Sequence, residues 1–292
     1  MRVGGPRPDR GRQRLTPFFR LRNRGTMRDR PAAPSMLATK QYGAPSVFRP
    51  ENLLREARRQ RGLPEQHVPA VCALDPDGDL VCTLRRTGLG RPAPGWACYH
   101  TELLVTEHQT IEIGVVGLAV GAPFAVLVAE QLFASGCRLL LSVTSAGQIV
   151  PCGPTPYFVL IDRALRDEGT SHHYLPPSLF AEADPALADR AFHAMADLPV
   201  PLHRGTSWTT DAPYRETEDA IAAAAGHGAL AVEMEAAALY AFARACDKPV
   251  LCFAHVTNQM ARIEGDFEKG EADGAGDALA IIAAAARGCG FA

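Results

Sequence analysis

The sequence lacks the short motifs of several common classes of metal- and nucleotide-dependent enzyme. None of its eight cysteines forms a C-x-x-C pair, so a zinc ribbon and a thioredoxin motif are excluded. Its nine histidines show no H-x-x-x-H or H-E-x-x-H spacing, and neither a P-loop nor a G-x-S-x-G sequence occurs. We therefore expect no metal site and no bound cofactor. We interpret the cysteines as small core residues of a protein in a reducing cytosol.

Aromatic side chains are scarce, at 7%, and long unbroken apolar runs are missing. The two uncharged stretches, 113–129 and 139–161, are interrupted by glycine, proline and polar residues, which favour strand and helix pieces over a membrane span. The N-terminus has no apolar region of the kind a secretory signal requires. The sequence predicts no membrane span, and we expect a cytoplasmic protein.

Acidic residues are almost missing from the first 30 positions, which hold ten arginines and two aspartates, a charge of +8. The rest of the chain has 20 basic and 30 acidic residues, so its charge is near −10. An acidic body excludes nucleic acid as its partner. We predict a disordered Arg/Pro-rich head over residues 1–45 and a catalytic domain over 46–292. The head is either a polyanion contact or a solvated tail, or translation begins later, at Met27 or Met36.

Hydrophobic residues make up 47% of the chain, enough for one large core. Apolar runs of strand length alternate with segments of helical length, and this alternation predicts a three-layer α/β fold. The predicted helices are 51–61, 124–134, 185–195, 217–225, 232–245 and 277–287. The predicted strands are 68–74, 80–84, 103–107, 110–116, 137–143, 157–161 and 249–256, and a polar loop is predicted over 205–215.

A turn of small residues follows the predicted strand 137–143. It consists of Thr144, Ser145, Ala146 and Gly147. Such residues allow backbone N–H groups to approach an anion or a sugar. Ligands of open α/β sheets bind at the carboxyl ends of strands, where this turn is predicted to lie. The alternative is an ordinary tight turn.

Two carboxylates, Glu233 and Glu235, flank Met234 in apolar surroundings. Their i,i+2 spacing on a helix directs them to different faces, so we expect one to be solvated and the other to enter the core. A buried carboxylate requires partners, and the two hydroxyls of a ribose are suitable ones. The alternative is that both acids favour the helix dipole.

Two further segments leave their roles open. Asp211, in the polar loop 205–215, is either a general acid or the cap of a turn. The glycines at 114, 117 and 121 follow a strand and precede a helix, but their spacing is wrong for a dinucleotide fingerprint. They motivate an alternative function, a nucleotide-binding module without glycosidic chemistry.

Five motifs together resemble the nucleoside phosphorylase family, most closely its uridine phosphorylase-like branch, over residues 68–290. V-E-M-E-A-A at 232–237 is similar to the family's V-E-M-E-A/S-A signature. The others are R-D-E-G-T-S-H-H-Y at 166–174 (R-x-x-G-x-S-x-H-F/Y), T-T-D-A-P-Y at 209–214 (S-S-D-x-F-Y), T-S-A-G at 144–147 (G-T-T/A-G) and N-Q at 258–259 (N-R-T-Q).

The resemblance implies a phosphorylase/hydrolase-like fold, a three-layer α/β/α sandwich with a central mixed twisted sheet. It implies that Met234 packs on the ribose and that Glu235, with Glu233 beside it, accepts from the ribose hydroxyls. Asp211 is implied as the acid that protonates the departing base. Residues 144–147 are implied to lie beside the attacking phosphate.

The same resemblance implies an enzyme of nucleotide salvage, a pentosyltransferase that converts a uridine-like or purine nucleoside and inorganic phosphate into free base and ribose 1-phosphate. It also implies a homo-oligomer, a dimer or a trimer of dimers, whose neighbouring subunit completes the site. Tyr214, His173 and Tyr174 are weaker candidates for contacts with the base or with that subunit.

The sequence departs from the family pattern where phosphate and base are bound. L-D-P-D-G at 74–78 keeps only the Asp-Pro of the family's G-D-P-x-R loop, and Ser142 stands where the second phosphate arginine is found. Thr217 and Asp219 stand where the uracil-reading Gln and Arg are found. We expect phosphorolysis, and hydrolysis of the same bond by water is the alternative. The candidates to supply the missing positive charge are Arg85, Arg86 and Arg91.

Overall fold

Strands and helices alternate along the part of the chain that the computed structural model describes, which is residue 1 and residues 40–260 and 264–291. Residues 2–39, most of the predicted disordered head, lie outside the described residues, and the domain boundary near residue 45 stays a prediction. The described strands are β1 Val71–Asp75, β2 Arg91–Pro92, β3 Leu104–His108, β4 Ile111–Gly117, β5 Leu139–Gln148, β6 Tyr157–Asp167, β7 Phe180–Glu182, β8 Leu202–Thr210, β9 Ala229–Glu233 and β10 Val250–Asn258. The described helices are α1 Pro50–Arg61, α2 Asp79–Thr87, α3 Ala122–Ala134, α4 Pro185–Ala194, α5 Glu218–Gly226, α6 Ala236–Cys246 and α7 Ala275–Gly288.

All the described strands belong to one mixed sheet. Five of them close into a ring, in which β5 pairs β10 in parallel, β10 pairs β6 antiparallel, β6 and β8 are parallel, β8 and β9 are parallel, and β9 returns antiparallel to β5. The other strands extend outward from β5. β1 pairs β5 in parallel and β4 pairs β1 in parallel, and β3 and β2 follow as antiparallel strands. The closed ring brings the ends of β5, β9 and β10 together.

Helices cover the sheet in two groups. One group contains α1, α3 and α6, and the other contains α2, α7 and α4. All residues of β1 and β10 are buried, as expected for strands covered on both faces. The predicted α/β fold with a central mixed sheet is confirmed.

Segment 80–84 is helical, and the predicted strand there is wrong. Gly78 adopts a left-handed conformation with φ 84°, and the side chain of Asp75 accepts a hydrogen bond from the backbone N–H of Val81 at 2.9 Å. The chain therefore reverses and begins α2 at Asp79. The buried face of this helix consists of Leu80, Val81 and Leu84. In so short an apolar run, this spacing is compatible with a strand as well as a helix.

Two other boundaries differ from the prediction. Residues 205–210, predicted as loop, belong to β8, because their hydroxyl and tryptophan side chains are buried between β6 and β9. Residues 232 and 233, predicted to begin a helix, end β9, and α6 begins only at Ala236. Both differences arise from strand pairing with distant segments, which local pattern does not report.

Candidate active site

The carboxyl ends of three parallel strands meet at one edge of the sheet. Along β5, Ser142 lies opposite Leu74 of β1, and Ser145 lies opposite His255 of β10. The antiparallel strand β9 places Val232 opposite Gly147. The predicted sugar-binding motif and residues 144–147 of β5 are therefore neighbours, at the edge where α/β sheets bind ligands.

Glu235 lies between β5 and the beginning of α3, with 1% of its surface exposed. Its Oε1 accepts the backbone N–H of Gly121 at 2.7 Å, and its Oε2 accepts the hydroxyl of Thr144 at 3.0 Å. Burial, with the nearby Glu233 carboxylate adding to it, raises the pKa of Glu235 to about 8, although both hydrogen bonds act in the other direction. A carboxylate has about four lone-pair positions, so capacity remains for further donors such as sugar hydroxyls.

Glu233 is also buried, at 3% exposure, so the expectation that one carboxylate of the pair is solvated is wrong. Its oxygens accept from four groups of the protein: the hydroxyls of Ser207 and Thr209 and the backbone N–H groups of Glu235 and Ala236. Burial raises the pKa of Glu233 nonetheless. Because its acceptor positions are filled, Glu233 anchors the start of α6 to β8, and Met234 is held between two fixed carboxylates.

Residues 144–147, predicted as a turn, are paired strand residues of β5, so the predicted turn is wrong: pairing with β10 and β9 extends the strand to Gln148. A small cavity lies beside this part of β5. Its volume is about 20 Å³, and Thr144 and Ser145 contribute to its wall, whereas Ala146 and Gly147 do not. The carboxylate of Asp77, from the turn after β1, accepts the backbone N–H of Ser145 at 2.6 Å. One N–H group of the segment 144–147, which the sequence predicts beside an anion or a sugar, is therefore already occupied by one of the protein's own carboxylates.

Negative groups surround this cavity. Asp75, Asp77, Asp79 and Asp273 line it, and Lys269 is paired with Asp79 at 2.6 Å. Burial raises the pKa of Asp75 to about 7 and desolvation raises that of Asp77, each against a hydrogen bond from a backbone N–H. Carboxylates that are hard to ionise together disfavour a further anion at the same place.

The candidate phosphate arginines lie elsewhere. Arg85 is paired with Glu102 and Arg91 with Glu112, all with exposed side chains, and neither arginine lines the cavity. Ser142, at the position of the family's phosphate arginine, is 1% exposed, and its hydroxyl has no hydrogen-bond partner within the described part of the chain.

Asp211 follows β8, which runs opposite to β5 and β10, and does not line the small cavity. It is exposed, and its Oδ2 accepts the backbone N–H of Gly169 at 2.8 Å. Nothing in this geometry tests its predicted role as an acid.

An open cleft of about 440 Å³ lies beyond Asp211, lined by Pro213, Tyr214, Glu216, Glu218, Ile221 and Met260. Met260, in the wall of this cleft, also packs on β5, because a Cβ at Gly147 would lie 2.6 Å from its sulfur and 3.2 Å from Val232. Tyr214 is 99% exposed in the cleft. The cleft has the size for a flat heterocycle, and Met260 lies between it and Gly147.

The segment 166–174 has a structural role in the described chain. The guanidinium of Arg166 donates to Ser171, Ser178 and the carbonyls of Pro176 and Leu175. The hydroxyl of Tyr174 donates to Glu130 at 2.8 Å, and its ring packs against Phe242. His173 lies in the short 3₁₀ helix Ser171–His173. Neither Tyr174 nor His173 lines the cavity or the cleft.

The glycines at 114 and 117 allow close packing, and the glycine at 121 contacts Glu235. A Cβ at Gly114 would lie 3.1 Å from the sulfur of Cys72, and one at Gly117 would lie 2.9 Å from Val81. These two glycines therefore allow close packing inside the sheet and under α2. Gly121 has φ 87° and donates its N–H to Glu235, so it belongs to the surroundings of that carboxylate.

Sequence reasoning missed Asp77, Asp79, His255 and Gly121 as parts of the site. By composition the run D-P-D-G-D indicates only a turn. It nevertheless follows a buried strand, which is the position of a ligand-binding segment. The rule that ligands bind at the carboxyl ends of parallel strands would have marked it.

Within residues 40–260 and 264–291, no group of three or more His, Cys, Asp or Glu side chains is arranged to hold a metal ion. None of the described helices combines the length and apolarity needed to cross a bilayer. Four of the eight cysteines are buried, whereas Cys82 and Cys246 are exposed, so the core interpretation holds for only part of the set.

A buried carboxylate beside the small residues of β5, at the edge of a mixed α/β sheet, defines a site for a small polar ligand. Comparison with known proteins identifies the family. Residues 62–287 match the Phosphorylase superfamily, which is most of the chain, and the chain belongs to this superfamily.

Relatives of known name include the DeoD-type purine nucleoside phosphorylase of Streptococcus uberis, 32% identical over 130 residues, which are 44% of this chain and 55% of that protein. The uridine phosphorylase of Thermococcus kodakarensis is 29% identical over 108 residues, 37% of this chain and 39% of that one. The match thus spans about half the length of the first of these relatives. The crystal structure of uridine phosphorylase from Vibrio fischeri has the same fold, with a TM-score of 0.65 and 21% identity, covering 79% of this chain and 98% of that one.

Proposed function

We propose that this protein hydrolyses the N-glycosidic bond of a nucleoside, releasing free base and ribose. The observation that carries this choice is the hydrogen bond from the Ser145 N–H to the carboxylate of Asp77 at 2.6 Å. In this arrangement the nucleophile side of the site holds a proton acceptor where an attacking phosphate would need donors. Water is the nucleophile that such an acceptor activates.

The size of the cavity supports the same choice. A volume of about 20 Å³ is enough for one water molecule, which needs at least ~10–15 Å³ and two to four polar partners. Phosphate is several times larger than water and would have to displace Asp77. It would also bring negative charge next to Asp75, Asp77 and Asp79, with Lys269 already paired.

The proposed reaction begins with the sugar. Glu235 accepts from the ribose hydroxyls with its unused lone pairs, and Met234 packs on the ring, so the glycosidic carbon faces the cavity. The oxygen of the cavity water then bonds to that carbon as the bond to the base breaks through an oxocarbenium-like transition state. The proton of the water passes to Asp77, and Asp211 supplies a proton to the departing base.

Phosphorolysis to ribose 1-phosphate is the second candidate. The relatives are purine nucleoside phosphorylases and a uridine phosphorylase, and their names favour it. It requires inorganic phosphate to bind in place of Asp77 on the Ser145 N–H.

Other parts of the expected function stay predictions: a role in nucleotide salvage in the cytoplasm, a homo-oligomer of two or six subunits, and the absence of a cofactor, nucleic acid or membrane as partner. Tyr214, in the cleft lined by Met260, is the proposed base contact. His173 and Tyr174 remain candidates only for contacts with a neighbouring subunit.

The test is incubation of the purified chain with a panel of purine and pyrimidine nucleosides, with and without inorganic phosphate. Chromatography separates base, ribose and ribose 1-phosphate. We expect base and free ribose at equal rates in both buffers. Ribose 1-phosphate formed only with phosphate would establish the second candidate instead. No base release from any nucleoside would exclude both.

A further inference from the structure

We propose that His255 is a catalytic residue that binds the attacking water together with Asp77. This inference rests on the proposed hydrolysis. It concerns a buried histidine in the middle of β10, which the motifs of the sequence do not mark.

His255 and Ser145 occupy opposite positions on the parallel strands β10 and β5. Side chains at paired positions of neighbouring strands lie on the same face of the sheet. His255 accordingly lines the same small cavity as Asp77, Thr144 and Ser145. The site therefore has an imidazole in its wall as well as a carboxylate.

The imidazole is held in one orientation. It stacks on the ring of Phe158, with centroids 4.3 Å apart and an angle of 3° between the planes. On another side, a Cβ at Gly274 would lie 2.4 Å from Cε1 of the ring, so only a glycine permits this approach. Such packing from two sides fixes the direction of the ring nitrogens before any substrate binds.

His255 is 5% exposed, and its ring nitrogens form no hydrogen bond within the described part of the chain, yet neither is among the fully enclosed unpaired atoms. The small surface they keep is open to a water or a ligand, which is the usual partner of such a group in native proteins. The neighbouring cavity has room for one water molecule. That water supplies the missing partner.

The chemistry of the pair suits an attacking water. Burial lowers the pKa of His255 to about 4, so at neutral pH the ring offers one N–H donor and one nitrogen acceptor. If the carboxylate of Asp77 accepts one hydrogen of the water and the imidazole nitrogen accepts the other, both hydrogens are held. A lone pair of the oxygen is then left for the glycosidic carbon, and the proton that leaves during attack passes to Asp77.

His203 offers a matched control. It lies on the ring strand β8, and its imidazole packs edge-on against Tyr157, the neighbour of Phe158, with centroids 5.2 Å apart. It does not line the cavity. His203 thus shares the aromatic packing of His255 without its access to the proposed water.

The experiment compares His255→Phe, His255→Asn and His203→Phe by steady-state base release without phosphate, with thermal melting as the folding check. His255→Phe keeps the stacking but removes the acceptor, so we expect kcat to fall about 100-fold with KM unchanged, the low end for a group acting on the transferred proton. His255→Asn restores an acceptor oxygen and should recover part of the loss. His203→Phe should match the wild type.

Several outcomes overturn the assignment. If the wild type hydrolyses a nucleoside but His255→Phe matches His203→Phe in kcat, His255 does not hold the water and the proposed function stands. Base release that requires phosphate, or none at all, removes the proposed function and this inference together. Should both His255 variants fail to fold, the wild type is assayed in methanol–water mixtures: ribose alone supports a cavity for one water, and methyl riboside contradicts it.

Discussion

The site contains two groups of carboxylates that differ in how they are satisfied. Glu233 and Glu235, between β9 and α6, accept hydrogen bonds from hydroxyls and backbone N–H groups, four of them to Glu233 alone. The second group, between β1 and α2, receives few donors and lines a cavity; it consists of Asp75, Asp77 and Asp79. Its one lysine, Lys269, is paired with Asp79. The first group is a set of fixed acceptors, and the second is a source of negative charge with a proton-accepting oxygen.

This difference shows that residue type alone does not assign a role. Both groups consist of closely spaced acids at the end of a buried strand. Neutral donors around the glutamates allow them to be buried without a cation. The aspartates face a space that admits only a small neutral molecule. In the proposed reaction, the same side-chain chemistry binds a sugar on one side and selects water on the other.

The strongest test of the comparison is Asp77→Asn. The amide cannot accept the proton of the attacking water, so we expect kcat for phosphate-independent base release to fall about 10³-fold, within the range for loss of a general base. The rate is measured with the best nucleoside of the panel. Asp189→Asn, which alters an exposed ion pair with Arg204, is the control and should keep the wild-type rate. An unchanged rate in Asp77→Asn would contradict the role of the aspartates.

Glu235→Gln tests the sugar side. The amide replaces one acceptor oxygen with a donor that faces Thr144 or Gly121, so the ribose is held less well in the transition state. We expect kcat/KM to fall about 100-fold, or ~3 kcal/mol of barrier at 1.36 kcal/mol per tenfold. Steady-state kinetics with a nucleoside and its 2′-deoxy analogue check the cause. A variant that loses equal activity toward both analogues would show that Glu235 does not contact the 2′-hydroxyl.

Glu233→Gln should affect folding more than catalysis. Two of its four donors would face an amide nitrogen that cannot accept, since each carboxylate oxygen accepts from two of them, and a buried polar group left unpaired costs roughly 1–3 kcal/mol. We expect the free energy of unfolding in urea to fall by about 2–3 kcal/mol, while KM of the folded fraction stays near the wild-type value. If kcat/KM falls as far as in Glu235→Gln, with stability unchanged, the two glutamates share the ribose and the distinction between them is wrong.

The smallest expected effect concerns Asp75, whose pKa burial raises from 3.8 to about 7. The folded state holds this proton more tightly than the unfolded state, so its contribution to stability is full below pH 4 and is lost as the pH rises through 7. Asp75→Asn should remove this loss and be more stable than the wild type at pH 8 by on the order of 2 kcal/mol. Urea unfolding at pH 5 and pH 8 measures the difference. Identical pH slopes in the two proteins would mean that Asp75 does not titrate in this range.

Much of the fold followed from local pattern. The helices at 51–61, 185–195 and 277–287 and the strand at 249–256 were predicted close to their bounds, because their apolar periodicity is unambiguous. Of the other ring strands, β5 and β6 were predicted too short, most of β8 was predicted as loop and β9 was not predicted. Segment 80–84 failed because Leu80, Val81 and Leu84 suit either a strand or a helix. The hydrogen bond from the Val81 N–H to Asp75 begins the helix there, and a short apolar run carries no sign of it.

The site was predicted in part. The sequence marked Glu235, Glu233 and residues 144–147, and the structure brings them together. It compared the segment 74–78 with the family's phosphate loop but gave Asp77 no role, and it did not mark His255, which belongs to no recognisable motif. Asp211 was marked from the sequence, and its role stays a prediction.

By itself the sequence determined the α/β alternation, the acidic body and the motifs that carry the family, since these depend on composition and local order. Only the tertiary structure decided what occupies the nucleophile side. Residues 77, 145 and 255 are far apart in the chain, and they meet because β1, β5 and β10 run parallel and end at one edge. Pairing between distant strands, which no local pattern encodes, thus places the Asp77 carboxylate on the backbone N–H of Ser145, within the segment predicted to lie beside phosphate.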